Sequence, residues 1–182
     1  FLHRRENNIK IHGRPTGKFQ STYTRFKCRG KYIALCEGDD YWTDPQKLQK
    51  QVGLLRSREN CVLSYHPWVM KYKKDRGKES ETKSKPKENS KTRKDPLLLT
   101  FLYRDVIKGY PQRGLKSMCG DVIIRRILRH HGKECLCGSI EPAVYRRHDG
   151  GMYSSQSKFE KEITMSDSLT HALGISESDV IK

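Results

Sequence analysis

The apolar positions of this chain fall in short runs separated by polar turns. Lys31-Tyr-Ile-Ala-Leu-Cys36 is rich in strand formers and predicts a buried strand. It stops at Glu37-Gly-Asp-Asp40, where three carboxylates and a glycine cannot continue a buried strand. Asp44-Pro45 then marks a helix start, with Asp44 as N-cap and Pro45 at the first helical position. Leu48, Val52 and Leu55 follow at spacings of four and three. That row predicts a helix ending between Ser57 and Asn60, with those residues toward the core. Cys61-Val-Leu-Ser-Tyr-His-Pro-Trp68 predicts a second strand. Strand, acidic turn, helix, strand is the order of an α/β layer fold.

Further along, Leu97 to Ile107 resumes an apolar pattern. Asp121 precedes Val122 to His131 and suits an N-cap, and Gly132 suits the stop. Positions 123, 124, 127 and 128 of that helix make one apolar face, with arginines on the other. Leu136 to Val144 reads as a short strand, and Tyr145 to Gly151 as a polar loop ending in glycines. Ser157 to Leu173 predicts a last helix, with Phe159, Ile163 and Leu169 on its apolar side. Residues 1 to 30 read as polar and loop-like. No internal repeat is visible.

Charge changes this picture in one place. The chain has 182 residues, 34% of them hydrophobic, and a formal net charge of +16. Lys71 to Lys94 holds 11 basic and 4 acidic residues and leaves the remainder at +9. So polar a run cannot offset its ordering entropy by burial, which predicts a disordered insertion. The expected layout is one domain in two parts, 1–70 and 97–182, around a charged insertion at 71–96. Collagen, coiled coil and a wholly disordered chain are excluded by the missing triplet glycine period, the missing heptads and the clear apolar runs. No apolar stretch approaches the roughly 20 residues that span a bilayer. Cys28, Cys36, Cys61, Cys119, Cys135 and Cys137 lack zinc-knuckle spacing, and several lie in apolar strands. Free, buried, reduced thiols in a cytosolic-type protein are the expectation.

The candidate chemistry sits at Glu37-Gly-Asp39-Asp40. Carboxylates at the carboxyl end of a strand lie where open α/β sheets bind ligands. Two of them one residue apart can hold a hard cation such as Mg²⁺ or Mn²⁺, which in turn can hold a diphosphate. The stretch from Cys28 to Gln51, including Glu-Gly-Asp-Asp-Tyr-Trp-Thr-Asp-Pro, resembles the metal-motif region of family 2 glycosyltransferases, which have the GT-A fold. Gly120-Asp121 and Tyr145-Arg-Arg-His-Asp-Gly-Gly151 resemble two further blocks of one bacterial-type subgroup, in the same order. The resemblance covers roughly residues 13–70 and 97–165.

That resemblance implies a partial GT-A, Rossmann-like sheet flanked by helices. It implies that Asp39, Glu37 and His148 hold Mn²⁺ or Mg²⁺, with Glu37 in place of the usual aspartate. It implies that Glu37, Asp40, Arg146 and His148 serve the donor's phosphate and sugar, and that Asp121 is the general base of an inverting transfer. Tyr41 and Trp42 are candidates for stacking on an acceptor sugar. The implied partners are a nucleotide-sugar donor and a glycan or lipid-linked acceptor, in the cytoplasm, with the lysine-rich run able to approach an inner membrane face. Family members carry a nucleoside-binding half before this region. It is expected to be missing here, leaving a sheet edge uncovered. A catalytically incomplete glycosyltransferase fragment is therefore one alternative. A nucleic-acid or anionic-surface binder is another, weakened because the basic run has no interleaved aromatics for base stacking and carries its own glutamates.

Overall fold

A computed structural model describes residues 10–11, 14–15, 27–73, 79–83, 98–105, 117, 119–148 and 156–175. The chain is mixed α/β and divides into two compact units. One unit comprises Phe1–Gly30, Ile107–Ile127 and Met152–Lys182; the other comprises Lys31–Val106 and Leu128–Gly151.

The second unit carries most of the strands. Strand β3 (Tyr32–Ala34), helix α1 (Lys47–Ser57), β4 (Cys61–Tyr65), β5 (Trp68–Lys73) and β6 (Glu79–Lys83) lead to a 3-10 turn at Leu98–Thr100. Strands β7 (Leu102–Arg104), β8 (Lys133–Leu136) and β9 (Ala143–Arg147) follow. One sheet runs β3-β7-β4-β8, with β7 antiparallel to both neighbours and β4 parallel to β8. A second runs β6-β5-β9, with β5 parallel to β9 and antiparallel to β6. All five residues of β4 are buried, as expected for a central strand covered on both faces. Leu55, Cys61, Leu102 and Cys135 form a buried cluster, with Tyr32, Ala34, Val52 and Leu54 packed against it. Full burial of Leu55 alone contributes about 2 kcal/mol. Arg104 fixes the far end of α1: its guanidinium donates to the carbonyls of Leu55 and Arg58 at the helix end and to that of Cys61 at the start of β4.

In the first unit, β1 (Lys10–Ile11) pairs with β2 (Arg14–Pro15). Helix α2 (Gly120–Arg129) crosses the division between the units at Ile127 and Leu128. Its expected apolar face, Ile123, Ile124, Ile127 and Leu128, is buried. Helix α3 (Lys158–Leu173) starts in a capping box: the Ser157 hydroxyl accepts the Glu160 N–H, and the Glu160 carboxylate accepts the Ser157 N–H.

Several expectations need correction. Helix α1 begins at Lys47, later than the Asp44 cap predicted, because Asp44 and Pro45 form a preceding turn. Of the row Leu48, Val52 and Leu55, Leu55 is buried and Val52 packs against the core, but Leu48 is exposed and Lys47 and Gln51 are buried. The single strand over 61–68 breaks at His66-Pro67, and the chain changes sheets there. Strand also enters the charged run, since β5 continues to Lys73 and Glu79–Lys83 pairs with it. Residues 74–78 and 84–97 of that run lie outside the described residues, as do most of residues 1–26 and Asp149, Gly150 and Gly151. The strand expected at 136–144 is a turn flanked by β8 and β9, and β9 takes Tyr145 to Arg147 out of the expected loop. Asp121 lies within the first turn of α2 and not ahead of it.

Helix α3 is turned over relative to its apolar pattern. Thr164, Ser168 and Ala172 are buried, whereas Phe159, Ile163 and Leu169 are exposed. A polar task accounts for Ser168 facing inward: its hydroxyl accepts the Cys119 N–H just ahead of α2 and donates to the Thr164 carbonyl.

The expectation of six reduced thiols is also overturned. Cys61 and Cys135, on adjacent parallel strands with Cα atoms 6.1 Å apart, form a disulfide across 74 residues of chain. Closing a loop of that length removes denatured-state entropy worth about 4 kcal/mol. Denatured without reductant, the protein is expected to expose four reactive thiols, Cys28, Cys36, Cys119 and Cys137, and six after reduction. Six before reduction would show that the pair stays open in the purified protein.

Gly132 offers a second check on this packing. A Cβ there would lie 2.5 Å from the Asn60 carbonyl oxygen and 2.8 Å from Val62 Cγ1. The Lys133 N–H binds that same carbonyl at 2.7 Å, so the backbone has no room to yield. Gly132→Ala is expected to cost about 2 kcal/mol or more, read as a lower urea midpoint with an unchanged slope.

Candidate functional site

The acidic turn is positioned by the strand before it and by a seam of hydrogen bonds after it. The Leu35 N–H still reaches the Phe101 carbonyl at 3.1 Å, so the chain leaves β3 in line with the sheet. It reverses where the Asp40 N–H returns to the Glu37 carbonyl at 3.2 Å. Tyr41 and Val144 then exchange both backbone hydrogen bonds, at 2.9 and 3.2 Å. The Thr43 hydroxyl donates to the Pro142 carbonyl at 2.9 Å. The buried Asp44 carboxylate closes the seam, accepting the Gln46 and Glu141 N–H groups and the Lys50 ammonium. The hydrogen bond from Lys50 is the main reason that Asp44 sits below the usual carboxylate range.

This seam brings residues over a hundred positions apart into one site. Oxygens of Glu37, Asp39 and Asp40 lie within 4.8 Å of one another. His148 Nε2 stands 3.0 Å from Asp39 Oδ2. The Arg146 side chain donates to the Asp39 carbonyl, and its backbone N–H donates to Asp40 Oδ1 at 2.9 Å. Its guanidinium lies 6.0 Å from the Tyr41 ring centre. Asp40 is 8% exposed, and its Oδ2 is buried with no hydrogen-bond partner among the described residues. Burial is the largest cause pushing the Asp40 carboxyl up to about 6, and Asp39's charge adds to it; the Arg146 N–H opposes it.

The donor set suits a hard divalent cation. Three carboxylates on one turn supply anionic oxygens, and the unpartnered Asp40 oxygen is an acceptor that a cation would satisfy. Arg146 and His148 bring positive or neutral donors to the same edge, as a site that also takes a phosphate requires.

Of the residues proposed from sequence, Glu37, Asp39, Asp40, Tyr41, Trp42, Arg146 and His148 all belong to the second unit, and the contacts above join all of these but Trp42. Asp121 belongs to the first unit, in the first turn of α2. Tyr41 is 41% exposed. Trp42 is half-buried, and its indole N–H is committed to the Leu99 carbonyl at 2.7 Å. Arg146 is tied to the turn's own backbone, a clamping role that the sequence did not suggest. Sequence reasoning also missed Lys47, Gln51 and His66, all buried behind the turn. The signal for the first two was the helical spacing of Lys47, Gln51 and Leu55, hidden because two of the three are polar.

No protein-family model matches the chain. It is 43% identical over 160 residues to an uncharacterized protein of Mycobacterium bovis, and equally so to uncharacterized proteins of two Mycobacterium tuberculosis strains. Each match takes in 83% of this chain and 43% of the relative, so the chain spans less than half the length of these relatives. Among the described residues, no helix is long and apolar enough to cross a membrane.

The raised Asp40 pKa makes a stability prediction. A carboxyl held at about 6 in the fold and near 3.8 when unfolded costs stability when ionised. That cost is fully present above pH 6 and is relieved as pH falls toward 3.8. Asp40→Asn keeps an acceptor for the Arg146 N–H without the charge. It is expected to raise unfolding free energy at pH 7.5 by on the order of 2–3 kcal/mol, with the gain vanishing near pH 4. Urea melts of both proteins at the two pH values check this. A loss at pH 7.5 would mean that the ionised carboxylate is held favourably in the fold.

Proposed function

We propose that this chain carries the metal- and acceptor-side part of an inverting glycosyltransferase of the family 2, GT-A type. The reaction moves a sugar from a nucleotide diphosphate to a glycan or lipid-linked hydroxyl. The observation that carries this reading is the carboxylate cluster at a strand end, with a buried, unpartnered Asp40 oxygen and with Arg146 and His148 beside it. The ordered sequence blocks support it.

In this reading Glu37, Asp39 and His148 would hold Mn²⁺ or Mg²⁺, which when bound supplies positive charge for the departing diphosphate. Asp40 keeps the turn's shape through its bond to the Arg146 N–H. Arg146 holds the turn's backbone and adds positive charge at the phosphate end. Tyr41 offers an exposed ring for a sugar face, and Trp42 backs it. Asp121 takes the proton of the acceptor hydroxyl as that oxygen bonds to the anomeric carbon, and the bond from that carbon to the diphosphate breaks. Work on a lipid-linked acceptor at the inner face of the cytoplasmic membrane fits the net positive charge of the Lys71–Lys94 run. The Cys61–Cys135 disulfide runs against a reducing cytoplasm, so the thiol count also tests this compartment.

The test is calorimetric binding of Mn²⁺ to this chain, followed by UDP, GDP and TDP with and without Mn²⁺. Saturable Mn²⁺ binding is expected, lost in Asp39→Asn, with one nucleotide binding only in its presence. A folded chain that binds no Mn²⁺ overturns the reading. In a full-length relative, Asp121→Asn is expected to lower sugar transfer by about 10²–10⁴-fold while leaving donor binding intact. Unchanged transfer would remove Asp121 as the base.

A further inference from the structure

Behind the acidic turn lies a closed ring of buried polar contacts. Lys47 is 1% exposed, and its ammonium donates to Gln51 Oε1 at 2.7 Å. Gln51 is fully buried and passes its amide hydrogens to the Thr100 carbonyl at 2.9 Å and the Ser64 carbonyl at 3.1 Å. One residue before Thr100, the Leu99 carbonyl accepts the Trp42 indole N–H. The ring closes because the Lys47 ammonium sits 4.1 Å over the Trp42 ring centre.

This lysine has no carboxylate partner among the described residues. Its neighbours are the exposed Cys36 thiol, the buried Cys137 thiol and the buried His66, whose own pKa its charge helps to lower. An ammonium buried against one amide oxygen and one indole face costs stability that a methionine in its place would not. The ring serves Trp42, which stands two residues beyond Asp40, between Tyr41 and Thr43 of the seam on which the acidic turn rests. Groups that cost stability and converge on a site are characteristic of function rather than of packing.

We infer that Lys47 is a positioning residue for the acidic turn: its ammonium holds the Trp42 indole in place, and through it the carboxylates that take the cation. The inference rests on the cation-site reading above, and its test separates the two.

The test uses Lys47→Met and Lys47→Arg in a Trp68→Phe background, which leaves Trp42 as the chain's one tryptophan. In the Met variant, Mn²⁺ affinity is expected to fall about 10-fold, as when an outer-shell support is lost, while the urea midpoint stays level or rises. Trp42 emission and near-ultraviolet dichroism are expected to change. The Arg variant, which can still stack and donate, is expected within about 3-fold of the parent affinity. A folded Met variant with parental Mn²⁺ affinity and an unchanged Trp42 signal overturns the inference. If the parent binds no Mn²⁺, the cation-site reading fails alone, and the Trp42 signal of the Met variant decides the positioning role.

Should the Met variant not fold, the parent answers by titration without metal. Burial pushes Lys47 down to about 8, so the Trp42 signal is expected to titrate near that pH. The groups around it do not titrate there. His66 is held near 4, the hydrogen bond from Lys50 holds Asp44 below the usual carboxylate range, and Cys36 and Cys137 are pushed above the usual thiol range. A Trp42 signal flat from about pH 6.5 to 9.5 overturns the inference.

Discussion

The reciprocal hydrogen bonds between Tyr41 and Val144 are the contact on which the candidate site depends. An acidic turn alone is a poor ligand site, since three like charges on four residues repel and the loop can splay to relieve them. The exchange at Tyr41 lays the chain after the turn against β9. Register then does the rest: with Tyr41 opposite Val144, the Arg146 N–H meets Asp40 and His148 meets Asp39. Thr43 and Asp44 extend the seam backward to Pro142 and Glu141. The carboxylates are therefore held close by bonds to groups other than themselves, at the cost that appears as the raised pKa of Asp40.

The same seam explains why α1 begins where it does. Asp44 would make a good N-cap, and it does bind the Gln46 N–H. Its second oxygen is taken by Lys50 and Glu141, however, and the helix starts only at Lys47. That start sets the helical phase. It turns Lys47 and Gln51 inward with Leu55 and leaves Leu48 in solvent.

How far the sequence foretold this depends on which interaction was in charge at each place. Strand β3, the acidic turn and the apolar face of α2 follow from local pattern, because burial decides them and burial is written in the residue types. The phase of α1 and the outward face of α3 were not legible. In both, small or polar side chains occupy the interior because they satisfy particular backbone groups: Gln51 the carbonyls of Ser64 and Thr100, Ser168 the Cys119 N–H. Hydrophobicity ranks such residues as exterior, and their partners lie far off in sequence. The break at His66-Pro67 and the strand in the charged run likewise depend on pairing with β9 and β6. Among the candidate site residues, the carboxylates stood out by themselves. Arg146 and His148 needed the ordered sequence blocks, and the register of β9 ties them to the turn.

These departures from local rules are not scattered evenly. Within residues 36 to 51 lie a buried carboxylate with an unpartnered oxygen, a buried lysine without a carboxylate, a half-buried tryptophan and a helix phased against its leucine. A stretch selected only for stability would replace Lys47 with an apolar residue and release the Asp40 charge, each change favoured by desolvation. Natural sequences that break local rules do so mostly where function demands it, and the cost is met by consistent packing elsewhere. Here that packing is the fully buried β4, the cluster around Leu55 and Leu102, and the Arg104 clamp at the end of α1. The packed part of the second unit thus holds a charged turn at its edge, where the burial of Asp40 is the cost of keeping three carboxylates together.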